Sequence, residues 1–415
     1  MYTGKRTQPP SRSWLIPAAA VLAVALAAAA VFAALAARQS AAQPPQPSTA
    51  FPAASPTPAP EPSPTPVPTP TSSPEERLLA EMTLHEKVCQ LFIVQPASLT
   101  PGELTAAGTA AKWALEEYPV GGLLYDASNL VTMDQTKTML SNTQSFSKIP
   151  LLLTCDEEGG RVNRLMHTVG TTYIGPMLDF KDQGPEKAAE NAKTIAADMA
   201  SCGFNMDLAP VADVWSNPKN TAIGDRAYSD DFQQAARLVA AAVGGFHEGG
   251  VACTLKHFPG HGDTSADSHY GSVYVYKTLD QLREAELLPF RAGIEAGADA
   301  VMMGHLIIAD ADERPALLSY KIVTELLREE LGFDGVVITD SLMMQAMTDH
   351  YGSGDIAVGA VQAGVDLLLC PQDLKEEAAA LTQAVENGTI SQERLDESVL
   401  RVLRLKIDRG IIPAE

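Results

Sequence analysis

The chain is 415 residues long and carries a formal charge of −21, from 51 acidic and 30 basic side chains. That balance excludes nucleic acid and an anionic membrane surface as partners of the folded part. Five cysteines, an odd number lying mostly in or beside apolar runs, exclude a disulfide framework and fit buried, inert thiols.

In chain order, residues 1–13 contain Lys5, Arg6 and Arg12 and no acid, and residues 14–37 run without a charge until Arg38. A secretory apolar region spans about 7–15 residues and a membrane-crossing helix about 20. Residues 14–37 are therefore expected to form a transmembrane anchor, with a long cleaved signal segment as the alternative. The basic excess ahead of the span places everything after it on the extracytoplasmic side, tethered or, after cleavage, secreted. Residues 38–74 are rich in Pro, Ser and Thr. Proline fixes φ and lacks an amide proton, so this stretch reads as an extended, solvated linker. Residues 75–415 have ordinary globular composition and are expected to hold one catalytic domain.

Within that domain, short apolar runs predict strands at 91–94, 121–125, 150–155, 206–211, 252–256, 300–305, 335–339 and 365–369. Apolar residues recurring at three and four predict helices between them, among them 185–202, 231–248, 279–296 and 320–331. Alternating strands and helices in this number read as α/β, a single (β/α)8 TIM barrel. An open doubly wound sheet uses the same alternation. The barrel is favoured because Asp156, Asp213, His257, His305 and Asp340 each follow the C-terminal end of a strand candidate, where a barrel collects its active site.

The densest chemistry lies in KHFPGHGDTSADSHYGS, residues 256–272. Pro259, Gly260 and Gly262 forbid a regular helix there, so it is a strand end followed by a long loop. Three readings compete for it. One is a solvated surface loop. Another is a metal site using His257, His261, Asp263 and His269, without the helical spacing or thiol that would strengthen it. The third is acid–base chemistry by Asp267 and His269, two apart, the carboxylate orienting the imidazole and favouring its protonated form. Asp340 ends the strand in DGVVITDSLMM and suits a nucleophile at an anomeric carbon or, more blandly, a helix cap. DEEGGRVNR (156–164) and IGDRAYSDD (223–231) bring Asp156, Arg161, Arg164 and Arg226 to further strand-end loops, where salt-bridged turns and ligand binding are equally available.

These segments, with GHLIIADADERPALLS and GFDGVVITDSLMM, occur in the order of glycoside hydrolase family 3. They resemble its β-N-acetylglucosaminidase branch from about residue 80 to 405. The resemblance implies a TIM barrel and a retaining exo-β-N-acetylhexosaminidase that removes terminal N-acetylglucosamine, and the expected external, tethered position points to peptidoglycan-type oligosaccharides as its source. It implies Asp340 as nucleophile, His269 as acid/base partnered by Asp267, and Asp156, Arg164, Arg226, Lys256 and His257 as sugar-binding residues. No metal or other cofactor is implied, and a monomer is expected, with carbohydrate and, through its N-terminal segment, membrane as partners.

Two features depart from the family pattern. DSHYGSVYVYKTL stands where relatives continue with a short turn of Leu-Pro type, which bears on the acid/base loop and the aglycone. Glu157 stands where Gln is commoner, read as a surface change. A glucosidase-type enzyme of the same family fits less well, because no second large domain follows the barrel to lend an acid/base. A metal-dependent hydrolase built on loop 256–269, and a sugar-binding protein without catalysis, are the remaining rivals.

Overall fold

In a computed structural model of the chain, the residues described are 72–100, 102, 105–265 and 271–413. The expected anchor at 14–37, nearly all of the linker, and Asp267 and His269 lie outside them. Among the described residues, no helix is long and apolar enough to cross a membrane. Residues 70–415 form one compact unit.

Among the described residues ten strands organise it: β1 (Phe92–Val94), β2 (Gly122–Leu124), β3 (Leu152–Cys155), β4 (Met206–Asp207), β5 (Thr254–Phe258), β6 (Val273–Val275), β7 (Ala300–Met303), β8 (Leu306–Ile308), β9 (Val336–Thr339) and β10 (Leu368–Leu369). The fold is α/β with parallel sheets. One sheet has the order β10-β1-β2-β3-β4, a second β5-β7-β9, and a small third pairs β6 with β8. Single parallel bridges, Met206 with Ala252, Val211 with Lys256 and Ile338 with Leu367, link the first two sheets at both of their edges.

Successive side chains of a strand point to opposite faces, and here the two faces enter two different cores. Ile93, Leu124, Leu152, Met206, Ala300, Met302, Val336, Ile338 and Leu369 pack with one another and with Val402 and Leu405 of the C-terminal helix Gln392–Asp408. Their neighbours Phe92, Val94, Leu153, Val301, Met303 and Val337 join a larger core with the helices. A strand buried on both faces reads as an unbroken apolar run, the signal that located these strands in the sequence.

The helices Pro185–Cys202, Phe232–Gly249 and Lys321–Glu330 form where periodicity placed them. Residues 279–296 differ, forming Leu279–Glu284 and Leu287–Glu295 with a break at Ala285 (φ −134°, ψ −86°). Pro289 accounts for the interruption, since its ring clashes with the carbonyl four residues back and it offers no amide to it. The strand spanning 206–211 is also shorter than expected, because Pro210 cannot donate to a ladder. β5 lies two residues later than the 252–256 expected, which brings His257 and Phe258 into the strand. β6 and β8 had no strand signal strong enough to be read.

All five cysteines are buried and free. A buried lysine has a consequence for stability. Lys406 is wholly buried and its Nζ donates to Gln90 Oε1 at 2.8 Å, while Gln90 Nε2 donates to the Pro119 and Val120 carbonyls. Burial lowers its pKa from 10.5 to about 7. The unfolded chain therefore binds this proton more tightly, and folding stability rises as pH climbs from about 7 towards the unfolded value. Thermal melts should show the wild-type Tm gaining on that of Lys406→Met over that window. A constant difference between the two proteins would contradict the assignment.

Candidate active site

The ends of β3, β5 and β9 and the loops after them converge on one cavity of about 320 Å³. Its apolar floor comes from the strands, through Leu124, Met302 and Leu369, and from Leu208 just after β4, and its polar wall from residues at and just beyond the strand ends. Asp156, Arg164, Arg226, Lys256, His257 and Asp340 all line it, so every expected site residue within the described part is brought together. Gln95, Asp126 and Glu158 also line it and had not been singled out.

β5 supplies Lys256 and His257. The Lys256 ammonium lies 2.7 Å from Asp156 Oδ1 and 2.5 Å from Glu158 Oε1. Arg226, on the short turn Gly224–Arg226, grips Glu158 with two bonds, Nε to Oε2 at 2.7 Å and Nη2 to Oε1 at 2.8 Å. Burial pushes the Glu158 carboxyl up in pKa, but Arg226 and Lys256 outweigh it and hold the group well below its ordinary range. Burial likewise pushes the Lys256 ammonium down, and Asp156 and Glu158 more than reverse it. The network is thus two buried cations and two carboxylates, with every charge facing an opposite one. Arg164 reaches Asp156 and Asp126, each at 3.4 Å, and Gln95 Nε2 donates to Asp126 Oδ2 at 2.7 Å.

The segment before β5 places Asp213 beneath His257. His257 Nδ1–H donates to Asp213 Oδ2 at 2.6 Å, and the His261 amide donates to Oδ1 at 2.6 Å. Asp213 thus fixes which imidazole nitrogen is left towards the cavity. The turn that follows must pass very close to its neighbours. Gly260 has φ +124°, and a Cβ on Gly262 would fall 1.7 Å from the Val214 carbonyl oxygen, so neither position admits a side chain.

Asp340 follows β9, its carboxylate Oδ1 accepting the Ser341 amide at 2.7 Å. Burial raises its pKa, but His305, His257, the Ser341 amide and Lys256 prevail, so the group is held ionised below the usual carboxylate range. His305 is placed by donating Nε2–H to the Ser341 carbonyl at 2.8 Å. An ionised carboxylate with a cation and two imidazoles around it, facing a cavity at the small end of the usual ligand range, can attack an electrophilic carbon of a single bound ring.

Glu157 corrects an expectation. It is 2% exposed rather than on the surface, and its carboxylate accepts the amides of Arg164, Leu165 and Met166. It caps the helix Leu165–Thr168 and so fixes the backbone from which Arg164 projects. As to metal, His257, His261 and Asp263 form no group with other described residues close enough to share one cation; the His/Cys/Asp/Glu group that does so among the described residues is His247, Cys253 and Asp299. Arg409 already occupies that place, with Nε 2.6 Å from Asp299 Oδ1 and Nη2 2.7 Å from His247 Nε2.

Known proteins resemble the chain over most of this unit. The family model described as glycosyl hydrolase family 3 N terminal domain matches residues 83–405. Beta-hexosaminidase A of Pseudoalteromonas piscicida is 34% identical over 339 residues, covering 74% of this chain and 57% of that protein. A beta-hexosaminidase of Stenotrophomonas maltophilia is 35% identical over 277 residues, covering 65% of this chain and 82% of that protein. The solved glycoside hydrolase family 3 beta-N-acetylglucosaminidase from Paenibacillus sp. superposes with a TM-score of 0.76 at 39% identity, over 80% of this chain and 64% of that one.

Proposed function

The chain belongs to glycosyl hydrolase family 3, and on that premise we propose that it is a retaining exo-β-N-acetylhexosaminidase acting on terminal N-acetylglucosamine. The observation that carries the reading is Asp340, held ionised, lining a one-ring cavity together with the Asp156–Lys256–Glu158–Arg226 network. Asp156, Lys256, Arg164 and His257 bind the ring hydroxyls, and Arg226 acts through Glu158 to hold Lys256. The site sits in a (β/α)8 barrel. Supporting that architecture are the single bridges at both sheet edges and the core in which residues of both sheets, such as Ile93, Leu152, Ala300 and Ile338, pack on one another.

In the first step, the Asp340 carboxylate attacks the anomeric carbon as the bond to the leaving oxygen breaks. The protonated His269, oriented by Asp267, gives that oxygen its proton. In the second step, neutral His269 takes a proton from water, the water oxygen bonds to the anomeric carbon, and Asp340 is released. Residues 14–37 anchor the enzyme outside the cytoplasmic membrane, a position that makes peptidoglycan-type oligosaccharides its substrates.

Activity on an aryl N-acetyl-β-glucosaminide set against the matching aryl glucoside tests the assignment, which requires a strong preference for the former. Equal rates on both would transfer the chain to the glucosidase reading. Substituting His269→Ala should cost roughly 10²–10⁴-fold on a substrate with a poor leaving group and far less on an activated aryl glycoside. Equal losses on the two substrates would remove its role as acid.

A further inference from the structure

At the other end of β5 and β7 from the sugar cavity, three side chains with metal-ligand chemistry meet. His247 lies in the last turn of the helix Phe232–Gly249. Gly250, at φ +93°, reverses the chain and brings Cys253 to the position just before β5, while Asp299 stands just before β7. One ligand atom from each of the three lies within 4.8 Å of the others. His247 Nε2 is 2.9 Å from Asp299 Oδ2 and 3.7 Å from the Cys253 sulfur. Asp299 Oδ2 also accepts the Cys253 amide at 2.9 Å, so the residue that brings the thiol orients the carboxylate.

Arg409, the C-cap of the C-terminal helix, fixes the state of the imidazole. A guanidinium has donors and no acceptor, so its Nη2–H, 2.7 Å from His247 Nε2, donates to a nitrogen that carries no proton. Nε2 and Asp299 Oδ2 are then two lone-pair atoms facing each other at 2.9 Å. Arg409 is the cation that holds them there, with its Nε 2.6 Å from Asp299 Oδ1. A tetrahedral zinc ion sets neighbouring nitrogen and oxygen ligands roughly 3.3 Å apart, and nitrogen and sulfur about 3.6 Å. Small side-chain movements separate the triad from such a shell. Cys253 is fully buried, but Arg409 keeps 26% of its side chain exposed. Asp299 and Arg409 line a cavity of about 290 Å³ together with Asp334, Asp408 and Arg404. That cavity gives a cation a route in past three carboxylates, and gives the Arg409 side chain room to turn aside.

We propose that His247, Cys253 and Asp299 form a site for a thiophilic divalent cation of the zinc class, taken up in exchange for the Arg409 guanidinium. Imidazole and thiolate select such a metal over magnesium or calcium, which take oxygen ligands. On uptake the Cys253 thiol releases its proton to solvent, and three protein ligands leave a fourth position for water. Uptake also releases the end of the C-terminal helix from Asp299 and His247. The site is separate from the sugar cavity and independent of the glycosidase reading.

Cobalt(II) titration of the reduced, full-length protein tests this, because a thiolate bound to cobalt gives an intense near-ultraviolet charge-transfer band. The wild type should bind one cobalt ion with this band, and zinc should bleach it. Arg409→Ala should tighten cobalt binding about tenfold, because the guanidinium holds most molecules out of the metal-competent state. Arg404→Ala removes the same charge from the same cavity without touching a ligand, and should leave the affinity within about twofold of wild type. Cys253→Ser should lose the band. Should that variant not fold, His247→Gln takes its place, with affinity expected to fall at least about tenfold and an unchanged affinity counting against the site. A band persisting in Cys253→Ser would move the metal to another thiol, such as Cys370, which lines the sugar cavity with His257, and would overturn the proposal. It would also be overturned by the absence of a band in both wild type and Arg409→Ala, or by an Arg409→Ala affinity no tighter than that of Arg404→Ala.

Discussion

Replacing Asp340 with Asn is expected to lower kcat on an aryl N-acetyl-β-glucosaminide on the order of 10⁴-fold or more, to the edge of detection. The amide has the shape of the carboxylate but cannot carry the negative charge that attacks the anomeric carbon. The native carboxylate is ionised against the cost of burial because His305, His257 and Lys256 surround it. Those groups stay in place in the variant, so binding should survive better than turnover: the loss falls on kcat, with KM changed little. His305 donates to the Ser341 carbonyl rather than depending on the Asp340 side chain, which is why the pocket should hold its shape. Near-normal kcat in Asp340→Asn would remove this residue as nucleophile.

Glu158→Gln should have the largest effect on stability, a loss of about 3–5 kcal/mol, read as a fall in Tm of roughly 6–10 °C. Glu158 is almost fully buried and is the group that separates Arg226 from Lys256. Neutralising it leaves two desolvated cations with Asp156 as the one carboxylate among the described residues still in direct contact with Lys256 and none in direct contact with Arg226. Because the folded pKa of Glu158 is depressed, its contribution is fully present above the ordinary carboxylate value of 4.5 and is lost as pH falls towards the folded value. The gap in Tm between wild type and variant should therefore be wide at neutral pH and narrow in acid. Activity should fall too, since Lys256 loses one of the two carboxylates that aim it. A variant melting within about 1 °C of wild type at neutral pH would show the network to be incidental to stability.

Much of this site was legible in the sequence because strands buried on both faces are unbroken apolar runs, and a charged or imidazole side chain straight after such a run is conspicuous. Asp156, Asp213, His257, His305 and Asp340 were found on that signal. Glu158 was not, because an acid two residues past a strand, beside Gly159 and Gly160, looks like a solvated turn. Its burial depends on cations that arrive from far along the chain, Arg226 and Lys256. Asp126 and Gln95 were hidden for the same reason, as was the buried role of Glu157, whose three partners are backbone amides and carry no side-chain signature. The helix break at Ala285 was readable from Pro289, but apolar periodicity runs straight through it. β6 and β8 form a ladder with each other, apart from the two larger sheets, and are three residues each, too short for alternation to stand out.

A covalent trap tests the central claim most directly. Incubating the enzyme with a 5-fluoro-N-acetylglucosaminyl fluoride, which forms the glycosyl ester faster than water releases it, should add one sugar to the intact mass. Peptide mapping should then place that sugar on Asp340, in the segment GFDGVVITDSLMM. A sugar mapped to another carboxylate such as Asp156, or rapid turnover with inversion at the anomeric carbon and no adduct, would contradict the account.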